Sequence, residues 1–189
     1  MTDDLAVDLS RTENHQGSQR LFIALCPDGD LRQRVVNLEG LKAVTDFGRR
    51  IPFDNIHITL FFLGQVDKPT RSCIEHGAGS IRGKSFELIL DRFGYWTRPQ
   101  ILWLAPSHIP PELLSLFENM KARLVKCGVT PDKRPYKPHL TLARKVKKPP
   151  PGIKIEPLLW HVKQFSLMES LPSSNGGVNY QELACWELD

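Results

Sequence analysis

No stretch of this chain approaches the roughly eighteen consecutive apolar residues of a membrane-spanning helix, so its 41% hydrophobic content is read as the material of a soluble core. The N-terminal MTDDLAVDLSRTENHQGSQ lacks the basic segment and apolar run of an export signal, and a cytoplasmic protein with no membrane partner is expected. Cysteine is sparse and scattered. Cys26, Cys73, Cys127 and Cys185 form no C-x-x-C pair, which speaks against a zinc knuckle or a disulfide-rich secreted frame, and reduced thiols are the expectation. A strong excess of one charge is also missing, the net charge being +4. The balance is uneven along the chain, however: residues 121 to 148 carry ten Lys or Arg against one acidic residue, Asp132. Such a segment suits a polyanion or simply a solvated basic face.

Residues 1 to 19 show no periodicity and are read as a flexible tail, with a single domain over 20 to 189. LFIALCP (21 to 27) reads as a buried strand, and Leu31, Val35, Leu38, Leu41 and Val44 recur at helical spacing over 31 to 45. A second helix is predicted over 68 to 81, with Pro69 in its first turn. SFELILDRFGYW (85 to 96) and QILWLAP (100 to 106) read as two strands. A helix begins at Pro110 and Pro111, with Leu113, Leu114, Phe117, Met120, Leu124 and Val125 on one face, and ends near Gly128. HLTLARKV (139 to 146), WHVKQFSLME (160 to 169) and VNYQELACWEL (178 to 188) are strand-like, and KKPPPG (147 to 152) is a break.

One order of elements occurs twice. A strand, a helix and a proline-marked turn lead to His57, and the same series leads to His139, 82 residues later. Both histidines open the same tetrad type: His57-Ile58-Thr59-Leu60 and His139-Leu140-Thr141-Leu142. Because strand side chains alternate, His and Thr at i and i+2 project together while the apolar residues between them face a core. One such triplet is usually a packing pair. Such an order of elements also recurs by chance in α+β domains; if the repeated units face each other, two imidazoles can converge on one substrate atom, each with an ordinary pKa close enough to neutral for acid or base work. Without a Cys or Ser nucleophile pattern, that set suits attack by water at phosphorus. One His removes the water proton, the other protonates the departing ribose oxygen, and the Thr hydroxyls hold the non-bridging oxygens. A metal reading needs a third ligand, and no His-x-His, His-Glu-x-x-His or carboxylate cluster adjoins either triplet; no metal and no cofactor are expected.

Together with RLFIALCP, NIHITLFFLG, LDRFGYWTRPQILWLAP and RPYKPHLTLAR, the doubled motif resembles the RNA 2′,3′-cyclic phosphodiesterases of the 2H phosphoesterase superfamily, long called 2′-5′ RNA ligases. The likeness runs from about Arg20 to Leu188. It implies a bilobal α+β fold with pseudo-twofold symmetry, two antiparallel sheets forming a central cleft, and helices on the outside. It also implies that RNA or oligonucleotide 2′,3′-cyclic phosphate ends are opened to a 2′-phosphate without metal. By the same likeness His57 is the proton donor, His139 the proton acceptor, and Thr59, Thr141 and Arg144 bind phosphate. Strict alternation sets Arg144 on the face opposite His139 and Thr141, so it reaches the phosphate only across a strand end or bulge. Arg134 and Tyr136 are candidate contacts to phosphate or a stacked base, against a solvated arginine and a packed tyrosine. A ligase-like reverse reaction uses the same groups. The competing reading is a non-catalytic module that binds a nucleotide or RNA end; a monomer is expected because no large apolar interface is evident.

Overall fold

The structure is a computed structural model that describes residues 17–38, 41, 48–148, 155–173 and 177–189. Most of the expected tail, most of the end of the first expected helix and the PPPG of KKPPPG lie outside the described residues.

The chain runs β1 (Gln19–Leu25), α1 (Gly29–Val36), β2 (Arg49–Arg50), a 3-10 turn (Phe53–Asn55), β3 (Ile58–Val66), α2 (Lys68–Gly79), β4 (Phe86–Leu90), β5 (Arg92–Trp96) and β6 (Ile101–Ala105). There follow α3 (Pro111–Lys126), β7 (Leu140–Arg144), β8 (Leu158–Val162), β9 (Gln164–Pro172) and β10 (Val178–Glu187). α1 and α2 start where the sequence offers side-chain caps, while α3 starts on Pro110 and Pro111 without one. Asp28 accepts from the Leu31 amide at 2.8 Å and Asp67 from the Thr70 amide at 2.9 Å, each meeting an amide that has no partner within its helix. In α3 the buried stripe is Leu113, Leu116, Met120 and Leu124, at spacings of three and four. Leu114 and Val125, expected on that stripe, are exposed at 44% and 54%. Leu116 takes the inward position because a helix advances 100° per residue and only one narrow face meets the core.

The architecture is α+β, with two antiparallel sheets of unequal size. Eight strands form one sheet, in the order β10-β9-β1-β3-β7-β6-β5 with β2 beside β7, and β4 pairs β8 in a separate ribbon. The run 85 to 96, expected as one strand, is divided between the two sheets at Asp91. Its carboxylate accepts from the Ser107 amide at 2.7 Å and the Ser107 hydroxyl at 2.5 Å, which fixes the corner where the chain changes sheet. The run 160 to 169 is similarly split at Lys163.

One contiguous core joins the large sheet to the helices and the ribbon. It holds Ile23, Leu25, Ile58, Leu140, Leu113, Met120, Leu88 and Leu104 among its members. Burying side chains of this size contributes about 1.5–3 kcal/mol each. Contrary to the expectation of reduced thiols, Cys73 of α2 and Cys127 at the end of α3 form a disulfide, their Cα atoms 5.7 Å apart. Two cysteines distant in sequence become neighbours because α2 and α3 pack side by side, a relationship that spacing alone does not carry. Cys26 and Cys185 are free. On the other face of β1, Phe22 and Ala24 alternate with the core residues and gather Met168, Cys26 and Tyr180 into a small second cluster. That face carries the candidate site.

Candidate active site

The two motifs lie on neighbouring strands. β3 and β7 are antiparallel and meet at one pair of residues, Ile58 opposite Leu140, both fully buried. Each is the apolar residue between the His and Thr of its motif, so the core side of this junction is closed and His57, Thr59, His139 and Thr141 belong to the opposite side. Continuing the register by one residue in each direction sets His57 toward Thr141 and Thr59 toward His139.

Both imidazoles are held in the same way. His57 Nδ1 lies 2.7 Å from the carbonyl oxygen of Asn55, and His139 Nδ1 lies 2.8 Å from that of Lys137. A carbonyl only accepts, so each Nδ1 carries a hydrogen and each Nε2 is the basic nitrogen of the neutral ring. His57 Nε2 is 3.0 Å from the Thr59 hydroxyl. Asn55 is itself fixed: it is buried, and its Nδ2 donates to the Val178 carbonyl at 2.6 Å, which ties the turn before β3 to β10. Aromatic rings complete the two settings. Phe22 and Tyr180 flank His57 at 5.0 and 5.1 Å between centroids, and Trp96 meets His139 edge-on at 4.5 Å.

This environment disfavours the imidazolium. Burial, reinforced by the positive charges of His139, Arg144 and Arg32 and opposed by the Asn55 carbonyl, pushes His57 from 6.5 down to about 4. Burial and Arg144 likewise hold His139 below its usual value, against the Lys137 carbonyl. An anion in the site would offset these charges, and the arrangement is therefore one in which a bound phosphate raises the basicity of both rings.

Arg144 is brought to the site side after all. Between β6 and β7 the register moves from Leu102 opposite Ala143 to Trp103 opposite Thr141, leaving Leu142 as an extra residue. Leu142 and Ala143 are both buried, and the phase of alternation resets so that Arg144 emerges exposed. Its charge is felt by both histidines. Arg134 is turned elsewhere, forking onto the carboxylate of Asp132 in an exposed pair. Tyr136 is packed: its ring stacks on Phe117 at 4.2 Å, and its buried hydroxyl has no hydrogen-bond partner among the described residues. Among the described residues no group of three His, Cys, Asp or Glu is arranged to hold a metal ion.

The fold brings further residues here, some of them in LDRFGYW (90 to 96), a stretch aromatic enough to suggest base stacking from sequence but read more readily as core. A pocket of about 390 Å³ opens beside His139, between Arg92, Trp96, Trp103, Ile109 and Tyr136. Arg92, Gly94 and Trp96 share one face of β5, and this i, i+2, i+4 spacing was the available signal. Tyr180, Phe22 and Arg32 carried none, since they come from three separate elements.

Residues 27–172 match the 2′-5′ RNA ligase superfamily. The RNA 2′,3′-cyclic phosphodiesterase of Escherichia coli K12 is 31% identical over 90% of this chain and 97% of its own length. The apo crystal structure of E. coli LigT superposes with a TM-score of 0.81 at 30% identity, covering 91% of this chain and 98% of that one. The complex of LigT with 3′-AMP gives 0.79 at 28% identity over the same shares.

Proposed function

The chain belongs to the 2′-5′ RNA ligase superfamily, and from that membership we propose that it is an RNA 2′,3′-cyclic phosphodiesterase. It acts as one domain over residues 20–189, hydrolysing 2′,3′-cyclic phosphate ends to a 2′-phosphomonoester without a metal. The observation that carries this reading is the shared anchoring of the two imidazoles. Each Nδ1 is tied to a carbonyl two residues back, on strands that meet at Ile58 and Leu140, which leaves two basic Nε2 atoms on one side of the sheet.

In the reaction, His139 Nε2 removes the proton of the attacking water, the P–O3′ bond breaks, and His57 protonates the departing oxygen. Thr59, Thr141 and Arg144 hold the non-bridging oxygens as charge builds on them. His57 is neutral near pH 7 in the free protein, so its donor role requires the substrate's negative charge to raise its pKa. With a 5′-hydroxyl in place of water, the same proton transfers join it to the cyclic phosphate in a 2′-5′ linkage.

We read the fold as two repeats, β1-α1-β3-α2-β4-β5 and β6-α3-β7-β8-β9, related by a pseudo-twofold axis that makes it bilobal. The support is reciprocal pairing: β5 ends the first repeat and pairs β6 of the second, while β9 ends the second and pairs β1 of the first. β4 and β8, at equivalent places, pair each other.

Hydrolysis of an oligonucleotide ending in a 2′,3′-cyclic phosphate, in excess chelator, tests the function. Wild-type protein is expected to release the 2′-phosphate, and His57→Ala and His139→Ala to be inactive but folded. Full activity in either variant, or dependence on added metal, would overturn the mechanism; binding without turnover by wild type would make the protein a binding module.

A further inference from the structure

The proposed hydrolysis leaves Arg32 of α1 without a role, although its guanidinium is poorly satisfied. The side chain is only 21% exposed, and its Nε is buried with no hydrogen-bond partner among the described residues. Its one ion pair among those residues is with Asp54, a carboxylate 86% exposed and 3.9 Å from Nη1, beyond hydrogen-bond distance. Asp28, one turn earlier, is engaged in capping the Leu31 amide. The guanidinium stands 6.0 Å from the ring of Phe53, in the turn that leads to His57. A cation withdrawn this far from water is costly unless an anion completes its bonds.

The place of Arg32 relative to the two rings says which anion that is. Its charge is felt by His57 and by Cys26, whereas His139 feels Arg144 and not Arg32. Arg32 therefore belongs to the side of His57 remote from His139, while Arg144 serves both rings. Its influence on His57 also ranks after those of His139 and Arg144, so the reacting phosphate is the business of Arg144. In-line displacement keeps the attacking and departing oxygens on opposite sides of phosphorus. With His139 serving the water and His57 the departing O3′, the ribose that bears O3′ lies on the His57 side. Its 5′-carbon, and the chain beyond it, lead away from His139.

We propose that Arg32 binds the phosphodiester on the 5′ side of the terminal nucleoside, so that the protein distinguishes the end of an RNA strand from a free cyclic mononucleotide. The inference rests on the roles given to the two histidines above. A guanidinium suits this task because its planar fork meets two non-bridging oxygens at once and keeps its charge at every working pH. The phosphodiester then supplies the partner that Nε lacks, and Asp54, weakly held and exposed, gives way to it.

The experiment compares adenosine 2′,3′-cyclic monophosphate with the same nucleotide carrying a 5′-phosphate, in wild type, Arg32→Met, Arg32→Lys and Asp54→Asn. The two substrates differ only in the 5′-phosphate, so any change in His57 basicity on losing the cation acts on both alike. In Arg32→Met, kcat/KM for the 5′-phosphorylated substrate is expected to fall at least about tenfold further than for the other, the scale of a hydrogen bond to a charged group. Arg32→Lys, which keeps the charge without the fork, should lose part of that difference. Asp54→Asn removes the competing carboxylate at an exposed position and should tighten binding of the 5′-phosphorylated nucleotide about twofold, which keeps the test decisive if Arg32→Met fails to fold. Calorimetric titration with adenosine 2′,5′-bisphosphate and adenosine 2′-monophosphate, neither of which can be turned over, repeats the comparison as binding, with the same tenfold expectation. Equal losses for both members of a pair would assign Arg32 to the cyclic phosphate or to the fold, and a wild type that binds both members alike would leave the 5′-phosphate without a contact; each overturns the inference. Failure of wild type to hydrolyse either cyclic substrate, with the binding difference intact, would keep the contact and overturn the proposed hydrolysis.

Discussion

Ile58 of β3 and Leu140 of β7 face each other at the single paired position that joins the two halves of the large sheet, and both are wholly buried. Each stands between the His and Thr of its motif, so one apolar contact on the core side sets the spacing of four polar groups on the other. Packing and chemistry are linked through that pair.

Leu140→Ala therefore has two consequences. A cavity at this junction costs about 2–5 kcal/mol of stability, read as a lower urea midpoint with unchanged slope. It also lets the strands shift, so kcat should fall under conditions where the protein remains folded. A variant that loses stability but keeps full kcat would show that the junction does not position the imidazoles.

Arg144→Ala should lower kcat/KM by roughly a hundredfold, the scale of removing one preorganised donor to a developing oxyanion. Arg144 also depresses both histidines, so its removal should move the acid limb of the pH–rate profile upward. An unchanged limb would mean that the guanidinium is not near the rings in solution.

The wild-type profile carries its own expectation. The kcat/KM dependence reports groups of the free protein, and both histidines there titrate below their ordinary 6.5. One must be protonated and one neutral, and the optimum should lie on the acidic side of pH 6.5, while kcat, measured with the anion bound, peaks at higher pH. Coincident optima would sink this account.

Stability should also depend on pH. His57 titrates at about 4 folded and near 6.5 unfolded, so below pH 6.5 the unfolded chain binds the extra proton. Stability is complete above that pH and falls as pH drops toward 4, by roughly 3 kcal/mol. Chemical denaturation across this range should show the slope, and His57→Phe should flatten most of it.

Cys73→Ser and Cys127→Ser should each destabilise the protein by about 2–4 kcal/mol, the usual scale for a disulfide closing a long loop. A melting curve with and without reductant checks this, since reductant should lower the wild-type midpoint and leave the variants where they are.

Much of the fold was legible where period and punctuation agreed. Leu31 and Val35 announced α1, Pro69 opened α2, and alternation around Ile58 and Leu140 set which side of each motif strand is polar. It failed where a run continued but the sheet did not. The run from Phe86 to Trp96 is strand-like in composition on both sides of Asp91 and Arg92, and the bonds of Asp91 to Ser107 hold the corner where the chain turns from one sheet into another. Leu114 and Val125 were misplaced because apolar character alone does not say which face of a helix meets the core.

The amino-acid sequence by itself determined the repeated His-x-Thr, the alternation that turns each His and Thr to one side, and the apolar residues that anchor them. The tertiary structure decided the rest, because each remaining feature joins residues that no local period relates. It set Ile58 against Leu140, locked both rings through Nδ1, inserted the Leu142 bulge that turns Arg144 back toward the site, and laid Trp103 over Gly94 beside His139. Periodicity governs which way a side chain points along its own strand; register, bulges and long-range packing govern what it then meets.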